Sequence, residues 1–175
     1  MLNAKIGVLE DLPEFPPTNA PYLNLDQFTL RISGAVVRPV TLRFQDILGL
    51  PRVDLTLDFT CVEGWSVKRI VWSGVRVKDL LSLAEPKPTA RYVLFKAGVF
   101  TKIIDIDRAT RDDTILAYMY KGKMLSYEHG APLRLVFPNQ ECYESVKWVS
   151  EIEVLEQPVE DTGRDIALSR IQTKR

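Results

Sequence analysis

Val53-Asp-Leu-Thr-Leu-Asp-Phe-Thr-Cys-Val-Glu-Gly-Trp-Ser66 decides the architecture. Val53, Leu55, Leu57 and Phe59 alternate with Asp54, Thr56 and Asp58. Side chains that change character at every second residue belong to a strand with one buried face. Glu63-Gly64 then reads as the turn of a hairpin whose returning arm covers residues 67–72. Cys61 therefore falls where the strand gives out, against the turn. A thiolate binds soft metals and attacks electrophiles only when it is deprotonated and reachable, and a strand end suits that better than a packed middle.

Toward the N-terminus, Phe28, Leu30 and Ile32 alternate with Thr29, Arg31 and Ser33 ahead of Gly34, which predicts a strand closed by a turn. Thr41 is placed to cap a short helix that turns Leu42, Ile47 and Leu48 inward and ends at Gly49 and Pro51. Four prolines between Asp11 and Tyr22 predict an extended arm laid over the surface. Toward the C-terminus, Val77, Leu80, Leu81 and Ala84 recur at helical spacing up to Pro86. Residues 92–95 and 100–104 form a second hairpin pattern about Ala97-Gly98. Asp105 is placed to cap a brief helix through Ala109, and 115–120 is a further apolar run.

Residues 133–137 predict a core strand with Leu133, Leu135 and Phe137 on one face and Arg134 on the other. Residues 145–155 predict a long alternating strand that buries Val146, Trp148, Ile152 and Val154. The polar tail after Pro158 predicts a loose segment or a docked helix. The chain thus divides into an N-terminal arm (1–24), one domain (25–157) and a C-terminal tail (158–175). Strands scattered among short helices, without regular alternation, predict an α+β fold with a mixed, β-rich core.

The chain's 175 residues suit a single core. Lys+Arg and Asp+Glu balance at 23 each, so no charge excess argues for DNA, RNA or an anionic membrane as partner. The first ten residues lack the basic start and apolar stretch of a signal peptide, and no apolar run is long enough for a membrane span. A cytoplasmic protein is expected, with export of a processed precursor left open. Cys61 and Cys142 are too few for a secreted disulfide scaffold, although a single bridge between them stays open. Two cysteines and the single His129 do not complete a tetrahedral zinc site without a carboxylate.

Five islands in order now matter together: residues 34–39 from Gly34 to Pro39, Cys61-Val-Glu-Gly-Trp-Ser66, Trp72-Ser-Gly-Val75, His129-Gly-Ala-Pro-Leu-Arg134 and Ser145-Val-Lys-Trp148. With them the sequence resembles the sulfite oxidase superfamily of molybdopterin-binding oxidoreductases, over residues 25–155. The likeness is to short single-domain bacterial and archaeal members related to the catalytic subunit of the methionine sulfoxide reductase. It implies the family's molybdopterin-binding fold, and a cofactor of molybdopterin with molybdenum or tungsten. It also implies oxygen-atom and two-electron transfer on a small substrate such as sulfite or a sulfoxide, with electrons exchanged with a separate redox protein.

Carried over residue by residue, Cys61 resembles the thiolate that ligates the metal, since a soft anionic donor holds a high-valent ion while other positions stay open. Arg134 resembles a cofactor-binding arginine, whose planar fork suits phosphate or pterin oxygens. His129 stands where relatives face the pterin. Ser145, Val146 and Lys147 resemble the segment whose amides and ammonium clasp the terminal phosphate. Thr18 and Asn19, in the arm, fall where relatives place N-terminal contacts to the metal centre. Departures from the family pattern are Glu141 and Glu144 beside the phosphate segment and Ala97 in the second hairpin. They motivate an alternative, a molybdopterin-binding module with altered or lost catalysis.

Glu63, two residues past the thiolate, is a candidate proton relay if burial raises its pKa; otherwise it is only a turn residue. Trp65, Trp72 and Trp148 read as core or pocket wall. A cysteine hydrolase built on Cys61, His129 and Asn139 has the residue types of a triad but no nucleophile-bearing helix after Cys61.

Overall fold

The computed structural model describes residues 7–14 and 24–172. At its centre are β4 (Arg52–Thr60) and β5 (Trp65–Arg76), the hairpin that the alternation around Cys61 predicts. Phe59 is buried, Val53, Leu55 and Leu57 are half-buried, and the intervening residues face solvent. The register slips between Leu57 and Phe59, and Arg69 takes a left-handed φ of 52° opposite the slip. The Asp58 carboxylate holds this bulge by accepting from the Arg69 backbone N–H at 2.9 Å and from Lys68 Nζ at 3.0 Å.

The first sheet grows outward from β5. It adds β1 (Gly7–Leu9), parallel, and β8 (Ile115–Tyr120), antiparallel; β8 then pairs with β9 (Lys123–Met124) and β10 (Arg134–Val136). Gly74 explains part of the Trp72-Ser-Gly-Val75 island. A Cβ there would stand 2.1 Å from Leu116 O and 2.6 Å from the Ala117 Cα, so only glycine lets β5 and β8 approach this closely.

A second sheet runs in the order β3 (Val40–Arg43), β2 (Thr29–Gly34), β11 (Glu151–Leu155), β6 (Tyr92–Ala97), β7 (Phe100–Asp105). Its β2–β11 pair is parallel and the others antiparallel. Helix α2 (Val77–Ala84) buries Val77, Leu80, Leu81 and Ala84 and stops at Glu85, whose φ of 55° is left-handed. These side chains join Leu30, Ile32, Val93, Phe95, Ile152 and Val154 in the larger apolar cluster. Each fully buried leucine or isoleucine there contributes about 1.5–3 kcal/mol through removal from water.

The period of two divides the first sheet's faces. Leu116, Tyr118 and Leu135 enter the larger cluster, whereas Ile115, Ala117 and Val136 enter a smaller one with Phe59, Ile70, Trp72, Tyr120 and Leu12. The smaller cluster carries the site. The architecture is α+β with mixed, β-dominated sheets.

Two local expectations need correction. Thr41 does not cap a helix; Val40 and Thr41 pair with Ile32 and Arg31 as strand, and α1 (Phe44–Leu48) begins only after Arg43, whose N–H is taken by Asp46 Oδ2 at 2.8 Å. The strand predicted over 145–155 shrinks to β11, because Trp148 adopts a left-handed φ of 58° and the chain turns there. Its indole N–H donates to Tyr127 O at 2.8 Å, so Trp148 is half-buried at a loop and not in a strand. The tail forms α4 (Gly163–Gln172), docked against β7 and the turn at 142–144. Ahead of it, Asp161 accepts from Ile103 N–H and Thr162 Oγ1 donates to Val99 O. Strands β1 and β9, three and two residues long, are too short to leave a periodic signal. α3 (Ile106–Ala109) follows Asp105 as expected, although the Asp105 side chain makes no capping bond.

Candidate functional site

β4 delivers Cys61 to the mouth of the hairpin. Its N–H donates to Trp65 O at 2.9 Å and its carbonyl accepts from Gly64 N–H at 3.0 Å, which closes the turn on itself. From the other side a 3-10 turn (Cys142–Glu144) brings Cys142 Sγ to 3.0 Å from Cys61 Sγ. Both thiols are free, so the bridge left open on sequence grounds is not formed. The Glu63 backbone N–H bonds to the Cys61 sulfur, and those of Val62 and Tyr143 bond to Cys142. Amides converging on sulfur favour negative charge there. The hydrogen bond to Cys142, and after it burial, pushes the Cys61 thiol up. The same bond lowers Cys142 to about 7 against the opposing effect of burial. The contact thus drives the two thiols apart in acidity, Cys61 holding its proton more tightly than Cys142.

The strand-end position predicts a reachable sulfur, but Cys61 is only 8% exposed. Cys142 lies against it through sulfur and Trp65 through the backbone of the turn. Two surface depressions, of about 400 and 480 Å³, are lined by Lys78 and residues 110–113 and by Arg91, Tyr92 and residues 105–108, none of them a candidate site residue.

Arg134 is the strongest electrostatic feature of the site. β10 turns it onto the smaller cluster, where it is 4% exposed. Its Nε donates to Ser145 Oγ at 2.8 Å and Nη1 to His129 O at 3.0 Å. Its Cζ lies 5.2 Å and 5.1 Å from the ring centroids of Phe59 and Trp72, within cation–π range. Among the described residues no Asp or Glu forms an ion pair with it. Burial lowers its pKa to about 10, partly offset by the nearby Tyr120 and Cys142.

The remaining expected cofactor residues surround it with mixed results. His129, half-buried, faces Ser126 Oγ through Nδ1 and Leu12 O through Nε2, each at 3.2 Å, and its ring packs on Tyr120. The imidazole is thus engaged away from Cys61, which removes the hydrolase triad. Tyr120 donates to Asp11 and accepts from Leu12 N–H, tying the arm down at this point. Lys147 Nζ donates to Glu128 O, and its alkyl chain lies over Gly130, where a Cβ would come within 2.9 Å. Burial, then repulsion from Arg134 and Arg170, lowers Lys147 to about 7.

Ser145 and Val146 are both buried, but their amides do not form the expected clasp. Ser145 N–H donates to Cys142 O and Val146 N–H to Glu144 O, because the chain turns tightly here. The Ser145 hydroxyl instead positions Arg134 and donates to Leu135 O at 2.9 Å. Thr18 and Asn19 lie outside the described residues.

Glu63 is exposed and accepts from Trp65 Nε1 at 3.2 Å, so the burial that a proton relay requires is missing. Glu144 pairs with Lys102 at 3.2 Å and accepts from the Glu141 backbone N–H at 2.8 Å. Glu141 is exposed. Ala97 sits in the second sheet, at a hairpin tip held by residues 161–163. Cys142 had no site role on sequence grounds because its contact with Cys61 spans 81 residues; its only signal was its place three residues before Ser145. Phe59 and Tyr120 likewise became site residues only through packing.

The donor set fits molybdopterin chemically. A thiol whose sulfur accepts from the Glu63 amide suits a soft metal, and two buried-leaning cations that repel one another, Arg134 with no carboxylate, suit an anionic group. No cluster of three or more His, Cys, Asp or Glu suited to an all-protein metal site occurs among the described residues.

Comparison with known proteins agrees. The family model of the oxidoreductase molybdopterin binding domain matches residues 17–162. The uncharacterized oxidoreductase YuiH of Bacillus subtilis (strain 168) is 34% identical over 149 residues, 84% of this chain and 75% of that protein. The protein-methionine-sulfoxide reductase catalytic subunit MsrP of Xanthomonas campestris is 32% identical over 168 residues, covering 86% of this chain and 52% of that one. MsrP of Campylobacter jejuni is 31% identical over 165 residues, with 83% and 55% covered. The chain therefore spans about half the length of these subunits. The sulfane dehydrogenase SoxCD of Paracoccus pantotrophus superposes with a TM-score of 0.76 at 26% identity, over 83% of this chain and 42% of that one. Sequence, fold and donor set converge: the chain belongs to the oxidoreductase molybdopterin-binding domain family and is an enzyme of the sulfite oxidase type.

Proposed function

We propose that the chain binds molybdopterin carrying molybdenum, with Cys61 as the protein's ligand to the metal, and reduces or oxidises a small sulfur compound. Sulfoxide reduction is the preferred direction, because two of the similar proteins are named protein-methionine-sulfoxide reductase subunits. The observation that carries the reading is Arg134: a guanidinium buried without a carboxylate against Phe59 and Trp72, in the cluster on which Cys142, the neighbour of Cys61, also packs. A buried cation of that kind is costly until an anion joins it.

When bound, the cofactor supplies two-electron and oxygen-atom exchange, chemistry that no side chain provides. The chain's own residues do the rest. Cys61 donates a thiolate, and the amide of Glu63 steadies its charge. Arg134 and Lys147 balance the anionic groups, while Ser145 and the His129 carbonyl fix the guanidinium fork. Phe59 and Trp72 keep water off the cation. Since Cys142 lies against the Cys61 sulfur, admission of the cofactor requires it to move. Electrons are exchanged with a separate redox protein, tungsten is the alternative metal, and a cytoplasmic location is part of the same reading.

Turnover decides it. The metal-loaded protein is assayed with methionine sulfoxide and a reduced viologen, and with sulfite and a dye acceptor. Activity in one direction, abolished by Cys61→Ser at unchanged folding, is expected. Loaded protein inert toward both compounds would refute the substrate class.

A further inference from the structure

The Cys61–Cys142 contact has chemistry of its own. The two sulfurs lie 3.0 Å apart across 81 residues of sequence, neither is bonded, and each sits in a tight turn whose hydrogen bonds fix its backbone. A disulfide needs the sulfurs about 1 Å closer. We propose that Cys61 and Cys142 form a reversible disulfide in the cofactor-free chain, a modification site that withdraws the Cys61 sulfur from the metal. The competition part rests on Cys61 being the metal ligand; formation of the bond does not.

The oxidant is a low-molecular-weight disulfide. Cys142 is the more exposed of the two and meets it first. The Cys142 sulfur attacks one oxidant sulfur, the oxidant's S–S bond breaks, and one small thiol leaves. Cys61 then attacks Cys142 of the mixed disulfide, forming the Cys61–Cys142 bond and expelling the second small thiol. Two electrons pass from the protein to the oxidant, and the two thiol protons end on the released thiols or solvent. Oxidised protein has no Cys61 thiolate to offer a metal, so a small dithiol or cellular reductant becomes a condition for loading.

The test uses the full chain produced in a host unable to make molybdopterin. It is treated with glutathione disulfide, then examined by intact mass and thiol alkylation. Wild type should lose two hydrogens and both alkylatable thiols. Cys61→Ser should instead retain one glutathione adduct on Cys142, and Cys142→Ser should form no internal bond. Isolated molybdopterin cofactor is then offered to oxidised and reduced wild type, with uptake read from pterin fluorescence and metal content. Uptake should fall to background in the oxidised chain and return after dithiothreitol. Persistence of two free thiols in wild type under oxidant overturns the proposal while leaving Cys61 as metal ligand. A disulfide that forms yet leaves uptake unchanged overturns the competition, and with it the role of Cys61 at the metal.

Discussion

Replacing Arg134 by Met separates a cation built for a ligand from one built for the fold. Burial lowers this guanidinium's pKa to about 10 from 12.5, so the charged form bears a penalty on the order of 3 kcal/mol. Two charge-assisted hydrogen bonds, at about 1.5–3 kcal/mol each, and the contacts with Phe59 and Trp72 offset it. In Arg134→Met the penalty disappears and methionine fills much of the space. Ser145 Oγ keeps its bond to Leu135 O, but His129 O loses a donor, which costs about 1–3 kcal/mol. The stability of the cofactor-free chain should therefore change by less than about 2 kcal/mol in either direction. Cofactor binding loses a buried charge partner, about 2–5 kcal/mol, or roughly 30-fold to several thousandfold in affinity. Urea unfolding of the cofactor-free protein gives the first quantity, and fluorescence of pterin released from matched samples gives the second. A variant that unfolds with a loss above about 4 kcal/mol yet keeps full pterin content would show that Arg134 serves the fold, and the reasoning above would be wrong.

Other positions give independent checks. Lys147 has a folded pKa of about 7 against 10.5 when unfolded. The unfolded chain therefore binds more protons between these values, and stability of the cofactor-free protein should rise with pH across that window. Lys147→Met should flatten the rise in parallel urea titrations, and an unchanged slope would exclude Lys147 as its source. Glu63→Gln should keep kcat within a factor of about three, because the exposed carboxylate lacks the setting of a general acid; a loss near 100-fold would reinstate it. Gly74→Ala, which drives a Cβ onto Leu116 O, should cost about 3 kcal/mol or more by denaturant unfolding, and a neutral result would mean that β5 and β8 are not packed as described. Leu80→Ala on α2 should cost about 2–5 kcal/mol, and a cost under about 1 kcal/mol would remove that helix from the core.

Residue patterns carried the fold where burial is one-sided. β4 and α2 each show a clean period that the burial pattern repeats, and the β6–β7 hairpin was legible from its turn at Ala97-Gly98. The pattern failed at 145–150, where alternation of Val146 and Trp148 imitates a strand while a left-handed Trp148 breaks it. It failed again at Thr41, because strand pairing with β2 outweighed a local capping preference. For the site, Cys61 and Arg134 were legible because motif and residue chemistry agree. Cys142, Leu12 and Tyr120 were not, since only tertiary contact brings them to the sulfur and to His129. Burial of Cys61 was hidden for the same reason: a strand-end position says nothing about which distant loop packs over it.

X-ray absorption at the metal edge of the loaded protein tests the central assignment most directly. With Cys61 as ligand, wild type should show one more sulfur neighbour of the metal than Cys61→Ser, at a distance set by metal–thiolate bonding. Identical sulfur shells in the two proteins would contradict the account.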